Sequence, residues 1–496
     1  MSEQTGHGGA FSRRGFLAAT GAAVASPRIP TPDGAAEGTA IMPATSTGSP
    51  AAAMRPDVDW VNPLTGALTT SPDTACGKTF PGAVMPFGLV QLSPDTVSGG
   101  DNGSGYSADM TTIEGFSFLH LSGIGCYGDL GQLQVMPQTG ELVTGRDAAK
   151  SPFEKATETA EAGYYSVELG RYKVRAELTA AERAGILRFT FQDAGTGRIK
   201  VDLSRRIGFD GTHTVTQQAR LVDDHTIEGS MTADRSGGGW ICGNGPVYEV
   251  HFSMRFHRPI GAFGTWDKDD VDRQAHERHT ASDSAGFFVE SNPDQQGWFV
   301  PHDVPGLIEL LGGRGAFINR LNAIFEQTAP EDMMRWNDKY NHSNEPVHHM
   351  AFLFVHAGAP WLTQKWSRYV CRHAYGTGPA GLAGNDDCGQ MSAWYVLAAA
   401  GFYPVAPASG VYALGSPLFD EVTFTTSRGT RFTIQSRHNS DVNCYVQSAT
   451  LGEKPLHRAW LRHEEIMAGG RLVLDMGPEP NKEWGSDPRW APPSGI

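Results

Sequence analysis

From Trp60 to about Gly264, apolar and polar residues alternate in short runs broken by turn residues. Residues 165–169, 172–178, 186–191 and 199–203 each set every second side chain on one apolar face, with Gly170 and Gly185 punctuating them. Several short strands at that spacing predict a β-sandwich. A polar stretch over 267–284 interrupts the pattern, and beyond it the apolar spacing lengthens to three and four. Helices are predicted over 305–311, 315–327, 346–356, 361–375 and 391–400, stopped at Gly312, Gly358, Gly376 and Gly401. After Tyr403-Pro404 short strands return, at 422–425 and 431–435, and close the chain. The predicted fold class is mixed α and β: an N-terminal β-sandwich, a helical part and a small C-terminal β segment.

The N-terminus reads differently. Ser12-Arg13-Arg14-Gly15-Phe16-Leu17 is a twin-arginine export signature, followed by a weakly apolar run and the small-x-small site Ala23-Val24-Ala25. That run is about 10 residues, short of the roughly 20 a membrane span needs, and no other stretch qualifies. A bacterial protein exported to the periplasm, cell surface or medium is expected, its mature chain starting near Ser26. Residues 26–55 are rich in Ala, Thr, Pro, Ser and Gly, with little to bury, and read as a disordered linker.

Composition narrows the function classes. Hydrophobic residues at 40% and aromatic residues at 10% exclude a disordered protein. A net charge of -14 repels phosphate backbones and anionic lipid, so nucleic acid is excluded as a partner and a neutral, polar ligand such as a sugar is favoured. The six cysteines form no C-x-x-C pair, which leaves a zinc ribbon unsupported.

Three polar clusters fall in or beside the helical part: Glu290-Ser291-Asn292, Asn344-Glu345-Pro346-Val347-His348-His349, and Gly384-Asn385-Asp386-Asp387-Cys388-Gly389-Gln390-Met391-Ser392-Ala393-Trp394. Each lies in a loop leading to a helix, where a rigid element can aim a side chain into a cleft. A Glu in one loop and an Asp in another suit glycoside hydrolysis, in which one carboxyl protonates the leaving oxygen and the other activates water. A plainer role is open for each: Asp386, Ser392 and Asn344 stand where helix caps stand. Glu345, His348 and His349, at i, i+3 and i+4, have a spacing that could present a metal, but the H-E-x-x-H order of zinc hydrolases is absent.

Several long runs, in order, resemble glycoside hydrolase family 92. Val61-Asn62-Pro63, the run 81–95 (PGAVMPFGLVQLSPD), Gly115-Phe116-Ser117 and His120-Leu121-Ser122-Gly123 are similar to the N-terminal domain of that family. Trp298-Phe299-Val300-Pro301-His302-Asp303, the Asn344–His349 run and the run 384–395 (GNDDCGQMSAWY), followed by Gly401-Phe402-Tyr403-Pro404-Val405, are similar to its catalytic half. The resemblance covers most of 57–480. It implies a calcium-dependent, inverting exo-α-mannosidase acting on mannan or N-glycans. By position it implies Glu290 as general acid and Asp387 as general base, with Asp386 and Asn385 shaping the base loop. Asn344, Glu345, His348 and His349 would bind sugar, Tyr106 and His120 would line the cleft from the N-terminal side, and Asn292 would ligate calcium.

The chain departs from the pattern in three places. Asn344 stands where α-1,2-specific members often carry His, which leaves another linkage preference open. Pro293-Asp294-Gln295-Gln296 replaces the usual Ala-Trp-Gln-Tyr. The family's (α/α)6 barrel of twelve helices needs roughly 190 residues, whereas Pro305 to Ala400 offers 96. A partial (α/α)6-type domain is therefore expected, lacking the first half of the barrel. The expected organisation is 1–25 signal peptide, 26–55 linker, 56–284 β-sandwich, 285–405 truncated helical catalytic domain and 406–496 C-terminal β segment. A partial barrel would expose apolar helix faces, which a homo-oligomer would cover. The shortfall also motivates an alternative function, a degenerate homologue that binds carbohydrate without turnover.

Overall fold

The alternating runs form the strands they predict. In the computed structural model, the residues described are 57–69, 76–96, 103–123, 130–145, 147–192, 197–207, 214–233, 248–265, 291–335 and 337–493. The expected signal peptide and linker, Glu290 and the polar stretch 267–284 lie outside them.

Two antiparallel sheets face each other in the N-terminal part. One runs Ala83–Val84, Gln91–Asp95, Gly115–Ser117, Gln134–Thr139, Gly197–Asp202; the other runs Ala184–Phe191, Val174–Ala181, Tyr164–Leu169, Thr159–Glu161. Leu92, Phe116 and Met136 from the first meet Tyr165, Val167, Val174 and Ala176 from the second in a dry core. Burying these side chains stabilises the sandwich by about 1.5–3 kcal/mol apiece. A further sheet, Thr214–Asp223, Thr226–Ala233 and Tyr248–Arg255, packs Met231, Val250 and Phe252 against Leu133 and Leu203.

The helices are α1 (Pro293–Gln296), α2 (Val304–Leu310), α3 (Arg314–Glu326), α4 (Pro360–His373), α5 (Gln390–Ala400) and α6 (His463–Ala468). Local chemistry sets their ends. Asn292 and Gln295 form a capping box at α1, the Asp303 side chain accepts from the Gly306 amide at α2, and left-handed Gly401 stops α5.

The expected helix over 346–356 does not form. The chain there makes two 3-10 turns, Glu345–Val347 and Met350–Val355, the second buried along its whole length. Met-Ala-Phe-Leu-Phe-Val is contiguously apolar rather than periodic, and such a run does not by itself specify a helix type.

Among the described helices, α4 packs against α5 and α2 against α3. They pack on the C-terminal strands, and one hydrophobic core runs from Trp298 through Phe325, Phe354 and Trp394 to Phe432, Ile434, Leu472 and Leu474, crossing the expected boundary at 405. The strands concerned form a five-stranded sheet ordered Glu421–Thr425, Arg431–Arg437, Gly470–Gly477, Tyr445–Leu451, Lys454–Pro455, beside a three-stranded sheet. Arg368 of α4 fastens the two together, donating to Ser416 Oγ (2.9 Å), the Ser440 carbonyl (2.8 Å) and Asn439 Oδ1 (2.6 Å). Exposed apolar side chains persist at Leu310 and Val396.

No helix among the described residues is long and apolar enough to cross a membrane. Among the described residues Cys371, Cys388 and Cys444 are free thiols.

Candidate active site

Residues far apart in sequence meet where the β-sandwich touches the start of α5. Three chain segments lie side by side there. The Asp386 amide donates to the Gly77 carbonyl (2.9 Å), Asp387 to Gly123 (3.3 Å), Cys388 to Ser122 (2.8 Å), and Gly123 in turn to Lys78 (2.9 Å). A Cβ on Gly123 would stand 2.3 Å from both the Asp386 and Asp387 nitrogens, so only glycine lets the backbones come this close. On the other side, a Cβ on Gly384 would stand 2.2 Å from the Ser343 carbonyl oxygen, which presses the 384–387 loop against the segment leading to Asn344 and Glu345.

The loop between these supports is bent hard. Asp387, Cys388 and Gly389 follow one another in the left-handed region, with φ of 48°, 57° and 95°. Non-glycine residues held in that region cost about 1–3 kcal/mol each and persist only where the surroundings fix them. Asp387 is half-buried, Cys388 and Glu345 are exposed, and Asn385 is half-buried beside them. Burial, then the Asp387, Asp386 and Glu345 carboxylates, push the Cys388 thiol up. One thiol thus senses carboxylates from both loops.

Asp386 has a different place from its neighbour. It is buried, its Oδ1 accepts from the Ser392 amide (3.0 Å) and hydroxyl (2.8 Å), and its Oδ2 accepts from the Ser122 hydroxyl (3.2 Å). Those bonds make it a tie between the first turn of α5 and the sandwich.

Four other residues expected at the sugar are interior. His120 is 1% exposed; its Nδ1 meets the Gln91 carbonyl (2.7 Å) and its Nε2 meets Asp95 Oδ1 (2.9 Å). Tyr106 is fully buried and donates to Glu158 Oε1 (2.7 Å), while Lys155 Nζ donates to its phenol oxygen (3.1 Å). His348 Nε2 meets the His342 carbonyl (3.1 Å) and its Nδ1 meets Gln390 Nε2 (3.2 Å); His349 Nε2 meets the Trp298 carbonyl (3.0 Å). Burial pushes both imidazoles down to about 4. These rings are core groups that hydrogen-bond to the backbone and carry Trp394, whose indole N–H donates to the His348 carbonyl (2.8 Å). Glu345, His348 and His349 form no group placed to hold a metal among the described residues.

Asn344 occupies the cap position of the Glu345–Val347 turn without a side-chain cap bond and is 6% exposed, next to exposed Glu345. Asn292 fits a calcium site poorly. Its Oδ1 accepts from the Gln295 amide (3.1 Å) and its Nδ2 donates to the Asp338 carbonyl (3.2 Å). Among the described residues no group of three or more His, Cys, Asp or Glu side chains is placed to hold a metal. Glu290 lies outside the described residues.

Sequence reasoning named the His120–Gly123 run but assigned its role to the histidine. Ser122 and Gly123 are the residues that reach the acidic loop, and the signal available was the Ser-Gly pair ending the run.

A sandwich thus clasps an acidic loop at the head of a helical, β-backed second half. Residues 60–297 match the glycosyl hydrolase family 92 N-terminal domain and residues 245–478 match the glycosyl hydrolase family 92 catalytic domain. The chain belongs to glycoside hydrolase family 92.

Its fold is similar to that of the family GH92 alpha-mannosidase BT3965 from Bacteroides thetaiotaomicron (TM-score 0.69, 20% identity, 88% of this chain and 97% of that one). It is also similar to the family GH92 inverting mannosidase BT2199 from Bacteroides thetaiotaomicron VPI-5482 (TM-score 0.67, 19% identity, 89% and 100%). BT3965 has also been solved in complex with mannoimidazole. A curated relative from Arthroderma benhamiae, named an uncharacterized secreted glycosidase, is 34% identical over 213 residues, 41% of this chain. That match spans 26% of the relative's own length.

Proposed function

We propose that the protein removes terminal α-linked mannose from mannan or N-glycans with inversion. Glu290 is the acid that protonates the glycosidic oxygen, and Asp387 is the base that takes a proton from water on the opposite face of the sugar. The single observation that carries this reading is the placement of Asp387. It stands on a left-handed backbone braced from two sides, with Glu345 close enough to act on the same thiol. Asp386, committed to Ser392 and Ser122, leaves the role of base to Asp387. An inverting pair needs its carboxyls about 6.5–9.5 Å apart to admit the water. Asn344, Glu345 and Asn385 would contact the sugars from the loop rims.

Mannose as the sugar and calcium dependence rest on the family resemblance, and twin-arginine export rests on the Ser12–Leu17 run. Among the described residues no group of three or more His, Cys, Asp or Glu side chains is placed to hold a calcium ion. A homo-oligomer covering exposed side chains such as Leu310 and Val396 belongs to the same proposal and is tested by light scattering.

The test is release of mannose from α-linked mannobioses by the purified mature protein, with calcium and with a chelator. Wild-type turnover that disappears in Asp387→Asn supports the assignment; turnover that survives the substitution overturns it. The shortfall of the helical part against a twelve-helix barrel favours one other reading, a homologue that binds mannosides without hydrolysis. Calorimetric binding with no released sugar would establish that one instead.

A further inference from the structure

We infer that the segment His120-Leu121-Ser122-Gly123 is a splint that holds the general base from the other half of the molecule, with Ser122 and Gly123 as positioning residues. This inference rests on Asp387 being the base.

The strained triplet Asp387-Cys388-Gly389 cannot hold its own shape, because its first two residues prefer other conformations. Two of its three amides are occupied by the splint, Asp387 donating to the Gly123 carbonyl and Cys388 to the Ser122 carbonyl, while Gly389 donates to the Asp386 carbonyl within the loop. The Ser122 hydroxyl, donating to Asp386 Oδ2, fixes the residue just before the base. The other oxygen of that carboxylate caps α5 through Ser392, so one carboxylate ties the loop, the helix and the sandwich together.

The splint is itself anchored. His120 is buried with one ring nitrogen on the Gln91 carbonyl and the other on Asp95. Asp95 is further held by the Ser117 hydroxyl (2.9 Å) and Gln134 Nε2 (2.7 Å). The Leu121 amide reaches the Gly103 carbonyl (3.5 Å) and Gly123 reaches Lys78 (2.9 Å). A rigid polar core of the sandwich thus sets the position of the base, which explains why a catalytic loop at the helical half depends on a serine and a glycine from the N-terminal half.

The test compares wild type with Ser122→Ala, Ser122→Thr and Gly123→Ala in the full mature chain. Two readouts are taken: steady-state hydrolysis of an α-linked mannobiose, and amide hydrogen exchange in the peptide covering 384–391. In Ser122→Ala, kcat is expected to fall about 10–100-fold, as for a reacting group misplaced by a fraction of an ångström to an ångström. KM is expected to stay within about twofold, and exchange of the 386–388 amides to quicken. Ser122→Thr, which keeps the hydroxyl, is expected to restore both. Gly123→Ala is expected to quicken the same amides more strongly. Unchanged exchange and kcat in Ser122→Ala, or a loss of kcat that follows a loss of Tm and is not rescued by threonine, would overturn the splint. If wild type releases no mannose, the base assignment fails, while the exchange readout still decides whether the segment holds the loop.

Discussion

The Ser122 hydroxyl donates to Asp386 Oδ2 at 3.2 Å across a sequence separation of 264 residues. Asp386 precedes the residue assigned as base, so the bond couples the β-sandwich to the chemistry of the helical half. The two adjacent aspartates divide the work: one is a buried tie with both oxygens engaged, and the other is half-buried beside the Glu345 loop. Substituting each separately should therefore give different phenotypes.

Asp387→Asn keeps size and most hydrogen bonding but removes the proton acceptor. General bases contribute about 10²–10⁴-fold to rate. A loss of kcat in that range is expected, with the denaturant midpoint unchanged, in mannobiose hydrolysis and urea melts run on the same preparation.

Asp386→Ala removes three hydrogen bonds at once, two at the start of α5 and one to Ser122. Losing a helix cap costs about 0.5–2 kcal/mol, and stranding buried donors adds about 1–3 kcal/mol. A clear fall in the urea midpoint is expected, together with lower kcat, because the left-handed base loop loses its tie. A protein as stable as wild type would show that Asp386 is not the structural member of the pair.

Gly384→Ala places a methyl group 2.2 Å from the Ser343 carbonyl oxygen and 2.7 Å from its Cα, backbone atoms that cannot swing aside as a side chain could. The loops carrying Asp387 and Glu345 must then separate. The expected signature is a raised KM as well as a reduced kcat, since the sugar-facing rim at Asn344 and Glu345 moves with them. A variant with wild-type kinetics would place the rim elsewhere.

The sequence carried the architecture further than it carried the site. Helices expected at 305–311, 315–327 and 361–375 appear as Val304–Leu310, Arg314–Glu326 and Pro360–His373, because each has apolar periodicity and a Pro or Gly at an end. The run at Met350–Val355 gave no such period and became a buried 3-10 segment. The acidic loop was legible from its residue types. What was not legible was burial: His120, Tyr106, His348 and His349 are polar residues in motif positions, and nothing in their local sequence distinguishes a cleft-facing ring from one hydrogen-bonded inside a core. Nor could spacing along the chain reveal that helices short of a barrel would find their partner in strands from 421 onward.

Buried histidines make the fold acid-sensitive, and the sign follows from their environment. Burial holds His348, His349 and His356 at about 4 in the folded protein, against about 6.5 in the unfolded chain. Between those values the unfolded state binds more protons, so stability is fully present above about pH 6.5, is lost as pH falls, and levels off below about 4. Each group would account for about 3 kcal/mol over the whole window. His356 is the cleanest probe, because its Nδ1 has no hydrogen-bond partner among the described residues. His356→Met should flatten the dependence of the urea midpoint on pH between 6.5 and 4.5 while leaving the value at pH 7.5 close to wild type. An equally steep loss in the variant would mean that this histidine is already protonated in the folded state.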